Sequence, residues 1–327
     1  MQKTKHTLRN TILLGALFVL VGGSAYGMTR YRSIKNAVNS SFVPTAAAKQ
    51  RNVVKQVNKN KPVSLLLIGA DSKSSADSGM LVTLNPSTKK TTVTSIPHTT
   101  AVRVAGYSSK APSRIKDAYA LGGTKSSINT VQNALNVPID FYTVVKPSGL
   151  KQIVTKGGGV TVKSDATFSN HGYHFKKGVK THLTGNKTLA YVASFKGDTK
   201  GTNAGKQVRQ QAVLGAILKK NATFKTLFNQ KFINSLASAV KTDMTFSEMS
   251  KLATHYRGAT KSVSKTSLRG SMKHMNGANM KVIKKAELQR VTNKARKGLG
   301  LSHKTTGKAA VFTKKQLNKA ADTVTAN

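Results

Sequence analysis

The sequence contains no cysteine and only ten acidic residues. Without cysteine there is no thiol nucleophile, no thiolate ligand for a metal, and no disulfide. Its eight histidines form no H-E-x-x-H or comparable zinc pattern, and no G-x-S-x-G marks a serine nucleophile. These absences exclude thiol chemistry, the common zinc hydrolases and the serine hydrolases of that pattern.

The shortage of acids leaves a very basic chain. Against ten Asp and Glu stand 54 Lys and Arg, which gives a formal net charge of +44. Such a surface attracts polyanions, and nucleic acid, acidic lipid headgroups and anionic cell-wall polymers all qualify. The net charge alone does not identify which of these polyanions is the partner.

The N-terminus narrows this choice. Thr11–Met28 is an uncharged, largely apolar run that follows the basic residues of 1–10, and it is barely long enough to span a bilayer. We expect a cytoplasmic tail over 1–10, a single-pass anchor over 11–28, and an extracellular remainder. A cleaved signal peptide is the alternative, because Ala25-Tyr26-Gly27 resembles a cleavage site. Both interpretations export the rest of the chain, so nucleic acid is not an expected partner.

The remainder divides into a linker, a domain and a tail. Residues 29–60 are rich in Lys, Asn, Ser and Ala without periodicity, which indicates a solvated linker. We expect a folded domain over 61–302 and a flexible, polar tail over 303–327.

Strand and helix patterns alternate through the domain. Strands are predicted at Val63–Ala70, Met80–Leu84, Thr91–Ile96, Phe141–Val145 and Gly159–Val162. Helices are predicted at Ser126–Leu135, Pro147–Lys156, Lys187–Ala193, Lys206–Lys220 and Thr223–Val240. We therefore predict an α/β fold, with a layered α-β-α domain around a central mixed sheet.

Two glycine segments have structural interpretations. The residues from Gly122 to Ser126 have the composition of a phosphate loop but not its order, which favours a helix-opening turn. The triple glycine Gly157–Gly159 is typical of a helix stop.

The first candidate site residues are two aspartates. Asp71 and Asp77 lie six residues apart in a Gly/Ser-rich segment that follows the first predicted strand. In a chain so poor in acids, this spacing predicts a site for a cation or for phosphate chemistry. The alternative is that both are turn residues or helix caps, which aspartates often are.

Several ordered motifs surround these aspartates. Three of them are Gly69-Ala70-Asp71-Ser72-Lys73, Asp77-Ser78-Gly79-Met80 and Ile96-Pro97-His98-Thr99. They resemble the G-x-D-x-R, D-[TS]-M and I-P-R-D motifs of the LytR-CpsA-Psr family of membrane-anchored phosphotransferases. Further matches continue to about residue 302, among them Arg114-Ile115-Lys116-Asp117-Ala118-Tyr119, Val137-Pro138-Ile139-Asp140-Phe141-Tyr142 and Leu183-Thr184-Gly185.

The resemblance implies a reaction. Family members move an anionic glycopolymer, teichoic-acid-like or capsular, from an undecaprenyl-pyrophosphate carrier to peptidoglycan at the cell membrane. It also implies an apolar slot for the lipid between the sheet and the helices. Asp71 and Asp77 match the family's ligands for Mg²⁺ (or Mn²⁺), and a hard, oxygen-ligated cation suits two carboxylates.

The basic half of the site departs from the family pattern. His98 and Thr99 replace the arginine and aspartate of I-P-R-D, and Ala193 and Phe195 replace two arginines of Y-V-R-x-R. The resemblance implies Asp71, Asp77, His98 and Arg209 as catalytic residues, and as phosphate ligands Lys73, Arg114, Lys206, Arg209 and Gln210. Lys206 replaces an arginine and cannot form its planar fork.

Two hypotheses remain open at this stage. The chain is either an active glycopolymer ligase or a catalytically degenerate relative that acts by binding polyprenyl phosphate or wall polyanions. His98 is alternatively a surface residue, and Arg209 a solvated one. Transcriptional regulation, an old label of the family, does not suit an exported domain.

Overall fold

A computed structural model of the chain describes residues 36, 41–72, 75–193, 204–219 and 239–322. Within them, the centre is a six-stranded sheet of β1 (Val63–Ser72), β2 (Ser75–Asn85), β3 (Lys90–Ile96), β6 (Phe141–Val145), β11 (Val240–Thr242) and β12 (Ser262–Ser267). The spatial order is β11-β6-β1-β2-β3-β12. β1 is parallel to β6 and β3 to β12, whereas the other neighbours are antiparallel. The predicted central mixed sheet is therefore confirmed.

The remaining described elements surround this sheet. Two-stranded ribbons pair β4 (Ala101–Val102) with β5 (Ser113–Arg114), β7 (Val160–Lys163) with β10 (Lys180–Leu183), β8 (Phe168–Asn170) with β9 (Tyr173–Phe175), and β13 (Ser271–Met275) with β14 (Ala278–Val282). The described helices are α1 (Val53–Asn58), α2 (Asp117–Leu135), α3 (Pro147–Lys156), α4 (Gly185–Val192), α5 (Ala204–Lys219), α6 (Phe246–His255), α7 (Lys285–Gly298) and α8 (Lys314–Asp322).

Helices cover both faces of the sheet. Successive side chains of a strand point to opposite faces, and on β1 both sets are apolar. Val63 and Leu65 belong to a core that includes α3, α4, α5 and α6. Leu66 and Ile68 belong to a second core that includes α2 and α7. This two-sided burial explains the continuous apolar run of the strand and gives a layered arrangement of helices, sheet and helices.

The predicted hairpin between β2 and β3 is present. The side chain of Asn85 accepts a hydrogen bond from the Thr88 main chain at 3.0 Å. Lys89 closes the turn with a φ of 54°. A polar turn residue and a left-handed position thus connect two buried strands.

The two glycine segments behave differently. Gly157 caps α3, and Gly158 and Gly159 follow with φ values of 74° and 70°, so the predicted helix stop is confirmed. Gly122 and Gly123 are non-helical and separate two helical parts of α2, so the second part opens directly after them, as the turn interpretation predicted. Their non-helical angles break the hydrogen-bonded ladder before the helix resumes.

One border of the sheet collects several strand ends. β1, β3, β6 and β12 end there and β2 begins there, since Ile68 pairs with both Gly79 and Val144, and Gly79 pairs with Ile96. This border is called the strand-end edge below.

The described part of the predicted linker over 29–60 is packed rather than solvated. Within 41–60, Val57 is buried and Arg51 forms an ion pair with the buried carboxylate of Asp140. The polar composition suggested a linker, but these long-range contacts order the segment.

The predicted flexible tail over 303–327 also needs correction in its described part, 303–322. Ala310 is buried in the core on the α2 side. Arg103 donates hydrogen bonds to two main-chain carbonyls of this segment and lies over the Phe312 ring at 4.3 Å. A few apolar and cation–π contacts therefore hold a mostly polar segment against the domain.

Two predictions fall on other parts of the chain. The expected anchor over 11–28 lies outside the described residues, as does nearly all of the helix predicted at Thr223–Val240. Within the described ranges, no helix combines the length and the hydrophobicity that a membrane span requires.

Candidate active site

A cavity of about 280 Å³ lies between the sheet and helices α3, α4 and α5. Its walls are mostly apolar, with contributions from Leu67, Met80, Ile153, Leu189, Leu214 and Ile217. The charged or amide side chains among its lining residues are those of Lys146, Lys206 and Gln210. This is the position in which an apolar slot was expected, and two of the three polar residues were predicted to bind phosphate.

Contacts with β12 fix the direction of α5. The Ser267 hydroxyl donates a hydrogen bond to Oε1 of Gln207 at 3.0 Å. One turn further along the helix, Nε2 of Gln211 donates to the Thr266 carbonyl at 2.6 Å. Because β12 ends at Ser267, α5 begins beside the strand-end edge and runs back along the sheet.

The direction of α5 gives the cavity a polar end and an apolar end. Lys206 and Gln210 occupy the first turns of the helix, beside the strand-end edge. Leu214 and Ile217 line the cavity one and two turns further along. An amphiphilic molecule with an anionic head and a hydrocarbon tail matches this polarity.

Lys146 lies at the same edge and was not among the predicted site residues. β1 and β6 are parallel with Gly69 paired to Val145, so Lys146 directly follows the last residue of β6 and is level with Ala70. It precedes Pro147, the first residue of α3. The sequence held a usable signal, because a lysine between a buried strand and a helix-opening proline stands at a strand end.

Both predicted metal ligands lie where the β1–β2 ladder is irregular. Register shifts interrupt this ladder on both sides of Ala70. The pairing of Ala70 with Ala76 leaves Asp71 and Asp77, the next residue on each strand, without a Cα partner. Such bulges redirect side chains and are common beside active sites. The backbone thus carries both aspartates at the strand-end edge, on opposite sides of the Ala70–Ala76 pair, and Asp71 directly follows Gly69 and Ala70 of the cavity lining.

His98 follows β3 at this edge but lies on the other face of the sheet. It lines a separate cavity of about 40 Å³, together with Lys116, Ile96 and Val131. The adjacent Thr99 is buried, and its hydroxyl has no hydrogen-bond partner among the described residues. The structure therefore does not bring His98 into the main cavity, and its catalytic role stays a prediction.

Arg209 is fully buried, with 0% of its surface exposed. Its Nε donates to the Tyr191 carbonyl at 2.8 Å and its Nη2 to the Ala193 carbonyl at 3.0 Å. The guanidinium also lies 4.8 Å from the centre of the Phe168 ring. These contacts tie α5 to the end of α4 and exclude the alternative that Arg209 is a solvated residue. Its predicted contact with phosphate stays a prediction.

The other predicted phosphate ligands have different positions. Arg114 is paired with Asp117, with Nε and Nη2 each 3.1 Å from a carboxylate oxygen. Its main chain continues into Ile115 and Lys116, which line the smaller cavity beside His98. Lys73 lies outside the described residues.

Comparison with known proteins decides the family. A model of the LytR_cpsA_psr family matches residues 28–297, most of the chain. The chain belongs to the LytR-CpsA-Psr family. The family resemblance found in the motifs is thereby confirmed, and the match includes the packed segment 41–60.

The alignments with individual relatives extend over most of this chain and nearly the whole length of each relative. The chain is 36% identical over 292 residues to the polyisoprenyl-teichoic acid–peptidoglycan teichoic acid transferase TagU of Bacillus anthracis, across 87% of this chain and 95% of the relative. The crystal structure of TagU from B. subtilis superposes with a TM-score of 0.57 at 29% identity, covering 73% of this chain and 97% of that one. A structure of TagT bound to LIIa-WTA gives a TM-score of 0.65 at 23% identity, over 79% and 100% of the two chains, and shows the likeness of fold alone.

Proposed function

We propose that this family member transfers an anionic glycopolymer, of teichoic-acid or capsular type, from an undecaprenyl-pyrophosphate carrier to peptidoglycan. The Bacillus anthracis relative is named as a transferase with a polyisoprenyl-linked teichoic acid and peptidoglycan as its substrates. The alignment covers 95% of that relative, so the proposal transfers the activity of a whole protein and not of one domain.

The observation that carries the proposal is the polarity of the cavity. Its apolar body, lined by residues such as Leu214 and Ile217, suits part of a polyprenyl tail. Its polar end lies at the strand-end edge, where Lys206 and Gln210 meet the backbone that carries Asp71 and Asp77. A lipid bound with its tail in the cavity therefore presents its pyrophosphate to these groups.

The proposed reaction exchanges one phosphorus–oxygen bond for another. A hydroxyl of peptidoglycan attacks the phosphorus atom that carries the glycopolymer, and a phosphodiester forms. The bond from that phosphorus to the bridging oxygen breaks, and undecaprenyl phosphate leaves with the electron pair. The hydroxyl proton passes to water. Negative charge builds up on the leaving oxygen, so groups that stabilise this charge lower the barrier.

The residues at the polar end divide this work. The Lys206 ammonium and the Gln210 amide are hydrogen-bond donors for the phosphate oxygens. Arg209 does not line the cavity and acts indirectly. Its hydrogen bond to the Ala193 carbonyl fixes the end of α4 beside the cavity.

Asp71 and Asp77 fit a divalent cation. Mg²⁺ typically takes one or two carboxylates and completes its octahedron with water and substrate phosphates, so two bulged aspartates beside a phosphate site are a suitable donor set. When bound, Mg²⁺ or Mn²⁺ would neutralise charge on the pyrophosphate oxygens.

We also propose that Thr11–Met28 anchors the chain in the cell membrane, with the domain outside. The support is the apolar run after a basic N-terminus. A cleaved signal peptide is the alternative, and the intact mass of the exported protein distinguishes the two. A mass that lacks the first 27 residues or so would contradict the anchor.

One observation favours a second candidate, a relative that binds the lipid-linked polymer without transferring it. Ala193 lines the cavity at a position where the family motif has an arginine, and Thr99 replaces an aspartate. The loss of an arginine donor costs roughly 2.7–4 kcal/mol of transition-state stabilisation where such a donor is preorganised.

A transfer assay with the full-length chain separates the two candidates. The chain is mixed with a radiolabelled anionic glycopolymer on undecaprenyl pyrophosphate, with peptidoglycan and with Mg²⁺, and label in the insoluble peptidoglycan is counted. We expect transfer that falls about 100-fold or more in Asp71→Asn, because one metal-binding charge is lost. Glu248→Gln should retain full activity, since glutamine preserves the capping box of α6. Lipid binding without transfer, unaffected by Asp71→Asn, would contradict the ligase and support the binding protein.

A further inference from the structure

Lys146 is a cation at the polar end of the cavity that the motifs do not account for. It lines the same cavity as Lys206 and Gln210, but from a different element, the junction of β6 and α3. Gly69 pairs with Val145 in the parallel β1–β6 ladder, so Ala70 and Lys146 are the next residues along these two neighbouring strands. Neighbouring strands lie about 4.8 Å apart. Asp71 is the next residue of β1.

The main chain holds Lys146 in a fixed place. Its N–H donates to the Ala239 carbonyl at 2.9 Å, and Pro147 begins α3 immediately after it. Gly149 lies against the same loop, so closely that a Cβ there would be 3.0 Å from the Ala239 oxygen. A strand, a helix start and a close backbone contact therefore determine where the lysine side chain begins.

The ammonium of Lys146 is available for a ligand. The residue is exposed, and among the side chains that the structure describes none forms an ion pair with it. The α4 wall contributes Ala193 and Val192, which carry no charge. Lys146 and Lys206 are thus the cationic side chains in the described lining of this cavity.

We propose that Lys146 contacts the pyrophosphate of the lipid-linked substrate and, with Lys206, supplies positive charge at the polar end of the cavity. Ammonium groups form strong, charge-assisted hydrogen bonds to phosphate oxygens, and two cations from different elements of one cavity lining can both contact a pyrophosphate. This inference rests on the proposed function and deepens it. It makes Lys146 the residue that offsets the missing charge at Ala193.

Equilibrium binding to the full-length chain tests the inference with two probes, farnesyl pyrophosphate and farnesol. The two share a tail that enters the cavity and differ in the charged head. Measurements at about 0.5 M salt suppress the general attraction of a +44 chain for anions. Lys151→Ala is the matched control, because Lys151 is an exposed lysine on α3 that does not line the cavity.

We expect Lys146→Ala to weaken farnesyl pyrophosphate binding about tenfold, the loss typical of one charge-assisted hydrogen bond. The binding of farnesol to Lys146→Ala should not change. Lys146→Arg keeps the positive charge and should bind farnesyl pyrophosphate within about twofold of the original chain. Lys151→Ala should bind both probes as the original chain does. An equal loss in Lys151→Ala, or an equal loss of farnesol binding in Lys146→Ala, would overturn the role of Lys146. If the unaltered chain binds neither probe, the proposed function itself fails, and the inference that rests on it fails with it.

Discussion

At the residue scale, Glu287, one of only ten acidic residues in the chain, forms an ion pair with Arg290. It accepts hydrogen bonds from Nε and Nη2 of Arg290, both at 2.7 Å, and from the main chain of Arg269 at 3.0 Å. The hydrogen bonds from Arg290 lower the pKa of Glu287, and the same contact raises the pKa of Arg290. Both shifts favour the charged forms, so the pair stabilises the start of α7.

The lowered pKa of Glu287 predicts a pH-dependent contribution to stability. A carboxylate with a folded pKa below its ordinary value of 4.5 stabilises the fold above that value and loses this contribution as the pH falls through the folded pKa. We expect Glu287→Gln to lower the free energy of unfolding by about 1 kcal/mol or less at pH 7, with a difference that shrinks below pH 4.5. Urea unfolding at several pH values measures it, and a difference that is constant with pH would contradict this account.

Single residues also mark the limit of sequence reasoning. The family motifs nominated Asp71, Asp77 and Lys206 as site residues, and the structure places the backbone of all three at the strand-end edge. Burial of Arg209 could not be predicted, since its partners are main-chain carbonyls at the end of another helix. Lys146 was not predicted, because its position beside Ala70 depends on which strand pairs with β6.

At the element scale, the segment 41–58 is held to the domain by a buried ion pair. The Asp140 side chain is 1% exposed and accepts hydrogen bonds from the Ser64 main chain at 2.7 Å and the Ser64 hydroxyl at 3.0 Å. Nε of Arg51 donates to its second oxygen at 3.0 Å, and the Arg51 side chain is 12% exposed. The arginine thus neutralises a carboxylate that has little access to water.

We expect Arg51→Ala to reduce the free energy of unfolding by about 3 kcal/mol, because it leaves a buried charge uncompensated. Arg269→Ala is the control, since that side chain is 79% exposed and its 3.9 Å contact with Glu287 is worth about 1 kcal/mol or less. Urea unfolding of the full-length chain compares the two variants. Equal effects would show that 41–58 is only loosely attached.

Strands and helices were predictable where a local sequence pattern defines them. The strand of Phe141–Val145 and the helix of Pro147–Lys156 have the predicted bounds, because apolar spacing and a helix-opening proline define them. The packing of 41–58 was not predictable, because composition indicated a linker and the ordering contacts are distant in sequence. Likewise, the order of strands in the sheet follows from long-range pairing that no local pattern contains.

At the scale of the whole molecule, an apolar cavity opens onto the polar edge of a strongly basic domain. The direction of α5 places Lys206 beside the strand ends, while its later turns line the cavity with Leu214 and Ile217. The general charge would concentrate anionic substrates near the surface. In the proposed function the cavity provides the specificity for a lipid tail, so blocking the cavity should reduce lipid binding more than changing the surface does.

The most direct test of the proposed lipid site fills the cavity with a larger side chain. Leu214→Trp places a larger side chain in the cavity, whereas Val208→Trp adds the same group to the outer face of α5, where Val208 is 48% exposed. With both variants checked for folding by circular dichroism, equilibrium binding of undecaprenyl phosphate to the full-length chain is compared. We predict that Leu214→Trp weakens binding at least tenfold and that Val208→Trp leaves it unchanged. Equal binding by both variants would contradict the assignment of this cavity to the lipid carrier.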